Sequence, residues 1–501
     1  MPADTPVKAT YADWANNTHS SWWKDPGLRR CTLYCVLLFF GIFSGGYDGS
    51  LLNGLQAMPT WNAYFGSPSG SLLGITGASQ YLSGIVTTPL VSWACDKFGR
   101  KLTIIGGSIF MIIGAAIMAA SNGLGMFIGA RVIIGLSTGF ANIGCVCLLN
   151  ELAHPRLRGI TAALYLTTYY VGAIVSAWST FGCVYWTSSS WSWRLPVLLQ
   201  ALGPVVMILT CLFIVPESPR YLIARGQTEK AHAILADLHA NGKMDDELVL
   251  NEVAEITGAI KLEKETGDTS WRRLFSTPGN RRRMLVILTV GTGTQWNGIG
   301  IISYYLAPVL RSVGITDSVQ IAGLNGGLSD WFMAMLGAVL VNRAGRRRLW
   351  LTSTAGLLVA FVILTALSAE FLKTQNKSMG GGVPLSYSYT LEVLPYGIRA
   401  KGMSLFAGTQ NVALAFNQYV NPVALQKIAW KYYIVYVVVI SVYLAIIYFN
   451  FIETKGYTAE ECALLLDQPK GQRTVVKELA VAAGEDKITA KDLQIEHRET
   501  A

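Results

Sequence analysis

The chain has 501 residues, of which 51% are hydrophobic and 14% charged, and its formal net charge is +9. A soluble domain carries about 25% charged residues, so this composition excludes an ordinary soluble enzyme, a disordered chain and a collagen-like fibre. The lysines and arginines bunch at the ends of apolar segments, which argues against nucleic acid as the partner. The sequence therefore predicts a protein that crosses a lipid bilayer many times.

Eleven apolar segments are long enough to span a membrane, since a spanning helix needs about 20 residues. Six precede a polar stretch at 217–283 and five follow it. Basic residues cluster in alternate connections, which places those connections, the polar stretch and the N-terminus on the cytoplasmic side. The segments lie at 31–56, 74–94, 102–120, 125–148, 160–182, 196–215, 284–310, 319–342, 349–369, 402–423 and 431–452.

The charge pattern requires one further crossing between Lys377 and Glu392, because Arg399 and Lys401 form another cytoplasmic turn. Only fourteen residues (378–391) are available, and as a helix they reach about 21 Å. We therefore expect helix ten to be shortened, either because only its inner half is present or because an exon is missing from the sequence. The expected division is an N-terminal tail at 1–30, bundles at 31–215 and 284–452, a cytoplasmic helical loop at 216–283, and a C-terminal tail at 453–501.

The two halves of the chain repeat the same charged motifs at the ends of their spans, which is typical of transporters built from duplicated helical bundles. The segment 96–101, with a Gly-Arg-Lys turn, is repeated at 342–347 with Gly-Arg-Arg. Each half also places a glutamate seven residues before an arginine, in the pairs Glu151 with Arg158 and Glu392 with Arg399.

Several motifs follow one another along the chain: Gly46 to Leu55, Arg-Val-Ile-Ile-Gly at 131–135, Pro-Glu-Ser-Pro-Arg at 216–220, Gln-Trp-Asn-Gly at 295–298, Tyr304-Tyr305 and Trp-Lys-Tyr-Tyr at 430–433. In this order they resemble the sugar porter family of the major facilitator superfamily, and its fungal lactose and hexose permease branch in particular. The resemblance implies an all-α membrane fold of two six-helix bundles that transports a small-molecule sugar or polyol. We expect a monomer in the plasma membrane.

A set of charged residues at the cytoplasmic helix ends is the second implication of the resemblance. In the family these residues form a latch that closes when the transporter faces outward. The alternative explanation is that these residues only cap helix ends and follow the rule that basic residues lie on the cytoplasmic side. The candidate latch residues are Asp96, Arg100, Glu151, Arg158, Glu217, Arg220, Arg346, Arg347, Glu392, Arg399 and Glu453.

Asp48 and Arg131 are ionisable residues inside apolar segments, where a charge is costly and needs a reason. Each lies about eight residues from the outer end of its helix, roughly 12 Å deep, so the two side chains are predicted to meet. Protonating Asp48 would release Arg131. A permanent structural ion pair is the alternative. Because proton-symporting sugar porters carry an Asp at the matching place, the resemblance favours proton symport.

Substrate contacts are carried over from the family by motif. Gln295 and Gln410 match substrate amides, Tyr387 replaces a Trp on helix ten, and Asp330 stands where an amide is usual. For Asp330 three roles stay open, namely substrate contact, titration and simple hydration. The full candidate set is Gln295, Trp296, Asn297, Tyr304, Tyr305, Asp330, Tyr387, Gln410 and Asn411.

Several polar positions of the family are lost here. Leu166 replaces a Gln or Asn, Thr294 a Gln and Ile299 an Asn. Lost amides weaken selection for hydroxyl groups, so a polyol, a quinate-like acid or a secondary metabolite is the alternative substrate to a mono- or disaccharide. A non-transporting sugar receptor is a further alternative, which the short tail argues against.

The five histidines form no cluster with a nucleophile and no phosphate-binding loop appears, so an enzyme is not expected. No cofactor or metal is expected either. Asn376, in a sequon on a loop placed outside, is a candidate glycosylation site.

Overall fold

The structure is a computed structural model that describes residues 16–19, 21–265, 277–312, 317–327, 346–374, 399–428 and 431–451. All regular elements in these ranges are helical. The first half contains α1 Pro26–Leu38, α2 Phe40–Ala57, α3 Pro59–Phe65, α4 Gly70–Phe98, α5 Arg100–Ala119, α6 Leu124–Leu152, α7 Pro155–Cys183, α8 Trp191–Leu199 and α9 Leu202–Leu209. A short 3₁₀ stretch, Trp22–Lys24, precedes α1, and a short π-helical stretch, Thr210–Ile214, follows α9.

The rest of the described chain holds the loop helices and the second bundle. Its elements are α10 Pro219–Ala224, α11 Thr228–His239, α12 Glu247–Glu265, α13 Pro278–Gly293, α14 Ile299–Ser312, α15 Ser318–Gly327, α16 Arg346–Thr374, α17 Arg399–Ile428 and α18 Lys431–Asn450. The predicted helix ten, with Tyr387, Glu392 and Asn376, lies outside the described residues.

Six described helical stretches are long and apolar enough to cross a membrane. Five belong to the first half and one, Lys431–Asn450, to the second. The helices α4 and α17 are also 29 and 30 residues long, but they carry more polar side chains. The first predicted span is longer than expected, because Asp25 accepts a hydrogen bond from the Leu28 N–H and starts the helix at Pro26.

The prediction of one continuous helix at 284–310 is wrong. The chain leaves the helix after Gly293, turns, and resumes at Ile299. Gly298 has a φ of +87°, which favours glycine, and a Cβ there would meet the Phe361 ring. A second irregularity follows at Tyr305, whose φ of −135° and ψ of 31° are not helical.

Helix packing in the first bundle depends on glycines. The helices α2 and α7 cross so closely that a Cβ on Gly46 would lie 1.8 Å from the Tyr169 carbonyl oxygen. A Cβ on Gly172 would lie 2.1 Å from the Phe43 carbonyl oxygen. Within a bilayer, helices associate through such close packing of small residues, because lipid provides no hydrophobic drive between them.

The two bundles meet where α4 packs against α17, α2 against α14 and α15, and α7 against α15. The loop between the bundles contains the helices α11 and α12. An N-terminal segment holds them against α1. Asn241 donates to Asp25 at 2.9 Å and accepts from the Gly27 N–H at 2.8 Å. Asn17 donates through its backbone N–H to Asp246 at 2.8 Å.

We expect Gly172→Ala to lower the apparent melting temperature in detergent, because overpacking a tight crossing costs about 1–3 kcal/mol. Gly159→Ala is the matched control on the same helix, where a Cβ meets nothing within 4 Å. That variant should melt no lower than the parent. Equal melting temperatures for all three proteins would contradict the close crossing.

Candidate functional site

Asp48, Gln80 and Arg131 form a buried polar chain across three helices of the first bundle. Asp48 on α2 is completely buried, and Gln80 on α4 and Arg131 on α6 are 4% and 3% exposed. The Gln80 amide Nε2 donates to Asp48 Oδ2, and its Oε1 accepts from Arg131 Nη2 at 2.7 Å. Arg131 Nε also donates to the Thr76 carbonyl at 2.7 Å. The amide thus connects the acid to the guanidinium.

The prediction that Asp48 and Arg131 contact each other directly is wrong in this structure. The Gln80 side chain of α4, a helix that packs against α6, lies between the two charges. Asp48 Oδ1 and Arg131 Nη1 are buried, and neither has a hydrogen-bond partner among the described residues. Sequence reasoning missed Gln80, although it is the one amide in the span at 74–94.

The candidate substrate residues Gln295, Trp296 and Asn297 lie in the turn that separates α13 from α14. The main-chain carbonyl of Gln295 accepts from Asn417 Nδ2 at 2.9 Å. The Trp296 indole N–H donates to the Ala413 carbonyl at 3.1 Å, which turns this ring toward α17. All three side chains are half-buried.

The two tyrosines of the motif have different surroundings. Tyr304 is half-buried, and its ring lies 6.4 Å from that of Tyr81 in an edge-to-face contact. Tyr305 is fully buried, and its hydroxyl is 2.6 Å from both the carbonyl and the side-chain oxygen of Gln418. Tyr305 also belongs to the apolar cluster of the first bundle that includes Tyr47 and Leu51, so it lies in the contact between the bundles.

The second irregularity of α14 is stabilised from the other bundle. Asn53 Oδ1 accepts from the Leu306 N–H at 3.0 Å, and Gln56 Nε2 donates to the Tyr304 carbonyl at 2.9 Å. Both side chains are 3% exposed. They come from the half of α2 predicted to lie outside, so the bundles are joined at that level.

The remaining candidates on α17 lie opposite α4. Gln410 and Asn411 are both half-buried, and Asn411 Nδ2 reaches the Thr88 hydroxyl at 3.5 Å. Asp330 lies outside the described residues, as do Glu392 and Glu453. The backbones of Arg346 and Arg399 begin α16 and α17, but their side chains are outside the described set.

The latch candidates of the first half converge at one end of the bundle. Arg100 pairs with Glu151 through two contacts of 3.0 Å, and it lies 3.9 Å from Asp96. Glu217 accepts from the backbone N–H groups of Arg100 and Lys101 at 3.1 and 3.3 Å, so it caps the N-terminus of α5. The geometry therefore contains both an ion pair and a helix cap, and the latch itself stays a prediction.

Two other latch arginines also have partners. Arg158 lies 3.7 Å from Glu252 on α12. Arg347 donates to the Tyr448 carbonyl near the end of α18 at 2.8 Å. Arg220, the second residue of α10, is half-buried.

Three comparisons place the chain among known proteins. A family profile described as "Sugar (and other) transporter" matches residues 34–466. The MFS-type transporter oryC of Aspergillus oryzae is 31% identical and covers 73% of this chain and 72% of its own. The hexose transporter HXT13 of Saccharomyces cerevisiae is 26% identical over 87% and 82% of the two chains. The E. coli proton:xylose symporter XylE, 20% identical, superposes with a TM-score of 0.68 over 87% and 99%.

The chain belongs to the sugar transporter family. The fold match confirms the predicted major facilitator fold, and the family confirms a multi-pass membrane transporter rather than an enzyme. Among the described residues no group of His, Cys, Asp and Glu could hold a metal ion.

The loop helices of this sugar transporter are docked by a buried histidine. His239 Nδ1 contacts Glu252 at 2.6 Å, and its Nε2 contacts the Leu152 carbonyl at 3.1 Å. Burial alone lowers the pKa of His239, but the charge and hydrogen bond of Glu252 raise it to about 10. Burial lowers the pKa of the neighbouring His154 to about 3, so that ring stays neutral. A charged His239 therefore faces Glu252, which Arg158 also approaches.

The stability contributed by His239 should be present below its ordinary pKa of 6.5 and should be lost as the pH rises toward about 10. We expect the apparent melting temperature in detergent to fall by several degrees over this range. His239→Gln should melt lower at pH 7 and should lack this part of the slope. His232→Gln, on the same helix, is the control and should keep it. An unchanged slope in His239→Gln would contradict the charged pair.

Proposed function

We propose that this protein imports a mono- or disaccharide across the plasma membrane together with protons, by alternating access of its two bundles. The observation that carries the proposal is the buried chain from Asp48 through Gln80 to Arg131. An acid at membrane depth is retained for a reason, and proton transfer is a frequent one. The family and the fold shared with a proton:xylose symporter support the same conclusion.

The chemistry follows from the contacts. With Asp48 ionised, the Gln80 amide donates to the carboxylate while its oxygen accepts from Arg131, so both charges are partly compensated. When Asp48 takes a proton, its negative charge disappears and the hydrogen bond from Gln80 weakens, because bonds to charged groups are the stronger ones. The side-chain connection from α2 to α4 then weakens. Each state of the proton thus favours a different packing of these helices.

A polyol or quinate-like substrate is the second candidate. The observation in its favour is Leu166, which stands where the family pattern has an amide and packs instead against the apolar cluster that includes Cys145 and Tyr165. Thr294, at the end of α13, likewise offers one hydroxyl in place of an amide. Each loss removes a partner for a substrate hydroxyl and so weakens the preference for fully hydroxylated sugars.

Uptake in a transporter-deficient yeast tests the proposal, with labelled glucose, lactose, cellobiose and myo-inositol as probes. We expect at least one probe to accumulate in a manner abolished by an uncoupler. Asp48→Asn should lose accumulation while retaining exchange of internal for external probe, because exchange does not require the proton to leave. Surface levels are compared for every variant.

Gln80→Leu should reduce accumulation about tenfold, which is within the range of typical coupling energies. Asp317→Asn removes an exposed carboxylate at the start of α15 and serves as the matched control. Accumulation by Asp48→Asn equal to that of the parent would refute proton coupling through this acid. Uptake of myo-inositol alone would favour the second candidate.

A further inference from the structure

The break between α13 and α14 leaves a main-chain carbonyl that must accept its hydrogen bond from another helix. A helix that stops inside a bundle exposes carbonyl groups that lack partners in the next turn. At this break the Gln295 carbonyl accepts from Asn417 Nδ2 at 2.9 Å. One turn earlier on α17, the Ala413 carbonyl accepts from the Trp296 indole. The turn is therefore held to α17 at two points.

The orientation of the Asn417 amide is set by α18. Tyr436 donates its hydroxyl hydrogen to Asn417 Oδ1 at 2.8 Å, so the Nδ2 group faces the Gln295 carbonyl. If the Asn417 amide were rotated by 180°, its Oδ1 would face the Gln295 carbonyl oxygen, and neither oxygen could donate. The Tyr436 hydroxyl also lies 2.7 Å from Asn421 Oδ1. Because that oxygen accepts from Tyr432 at 2.9 Å, the single hydroxyl hydrogen of Tyr436 is available to Asn417. Two hydroxyls thus serve two amide oxygens.

This amide and tyrosine cluster is deeply buried. Asn417 is 3% exposed, Asn421 is fully buried, and Tyr432 and Tyr436 are 7% and 4% exposed. Apolar side chains of the second bundle, including Ile301 and Phe361, enclose it. Since water does not reach these groups, a rotated Asn417 amide finds no replacement partner, and the geometry at Gln295 is strongly specified.

We propose that Asn417 and Tyr436 are positioning residues that fix the place of Gln295 in the substrate site. The inference rests on the proposed function, in which Gln295 contacts the substrate. Asn417 acts on the main chain of Gln295, and Tyr436 acts through Asn417. Gln410 and Asn411 lie on the same helix, so one rigid surface of α17 sets their places relative to the broken helix.

Transport kinetics with the probe that the parent protein accumulates test the proposal. Tyr436→Phe removes only the hydroxyl and should raise KM about three- to tenfold with Vmax little changed, as expected for a lost hydrogen bond that aligns a binding group. Asn417→Ala should raise KM further. The double variant should match Asn417→Ala, because Tyr436 has no separate effect. In a Gln295→Ala background, Tyr436→Phe should leave KM unchanged.

Tyr433→Phe is the matched control, since this buried tyrosine of α18 makes no hydrogen bond among the described residues. It should leave KM unaltered. An unchanged KM in Tyr436→Phe, or an equal rise in Tyr433→Phe, would overturn the proposal and leave the cluster a purely structural role.

Hydrogen exchange of the peptide across residues 290–305 separates this inference from the proposed function. Tyr436→Phe and Asn417→Ala should exchange faster there than the parent, and Tyr433→Phe should not. If the parent transports none of the probes, the proposed substrate class fails. The positioning role is then decided by exchange alone, and unchanged exchange in both cluster variants would refute it.

Discussion

The structure depends on one constraint, which is that a charge inside a bilayer-spanning bundle must find its compensation within the protein. Asp48 finds it through the Gln80 amide, which passes the interaction on to Arg131. An amide suits this position because it donates at one end and accepts at the other. It connects the carboxyl group to the guanidinium without direct contact between them. In the proposed mechanism, a proton on Asp48 therefore affects two interhelical hydrogen bonds.

The same constraint explains the second bundle. Irregular backbone at membrane depth is tolerated only where protein groups satisfy it. At the turn after Gly293 that role belongs to Asn417, and at the Tyr305 irregularity it belongs to Asn53 and Gln56 of the first bundle. The broken helix is thus supported on one side by its own bundle and on the other by its partner bundle. A change in the contact between the bundles therefore alters the hydrogen bonds from Asn53 and Gln56 and leaves the one from Asn417 in place.

Much of the fold could be read from the sequence, because spans and their orientation depend on local composition. Asp48 and Arg131 stood out for the same reason, as charges in apolar segments. Gln80 did not, since a single amide among Gly, Ser and Thr gives no signal of its own, and its role depends on α4 placing that side chain within reach of both Asp48 and Arg131. The position of Arg158 near Glu252 could not be predicted from the repeat, because Glu252 comes from the loop, which has no counterpart in the second half. The break at Gly298 escapes a count of apolar residues, which places the polar residues from Thr294 to Asn297 inside one span at 284–310.

Helix α2 connects the proposed proton site with the proposed substrate site. It carries Asp48, and further along it presents Asn53 and Gln56 to the backbone of α14. The helix α14 begins directly after the turn that holds Gln295. In the proposed mechanism, a shift of α2 on protonation reaches the substrate segment through the hydrogen bonds of the Asn53 and Gln56 side chains to the main chain of α14. The first bundle holds the proposed titrating group and the second the proposed substrate amides, so proton and substrate need not share a binding site to influence each other.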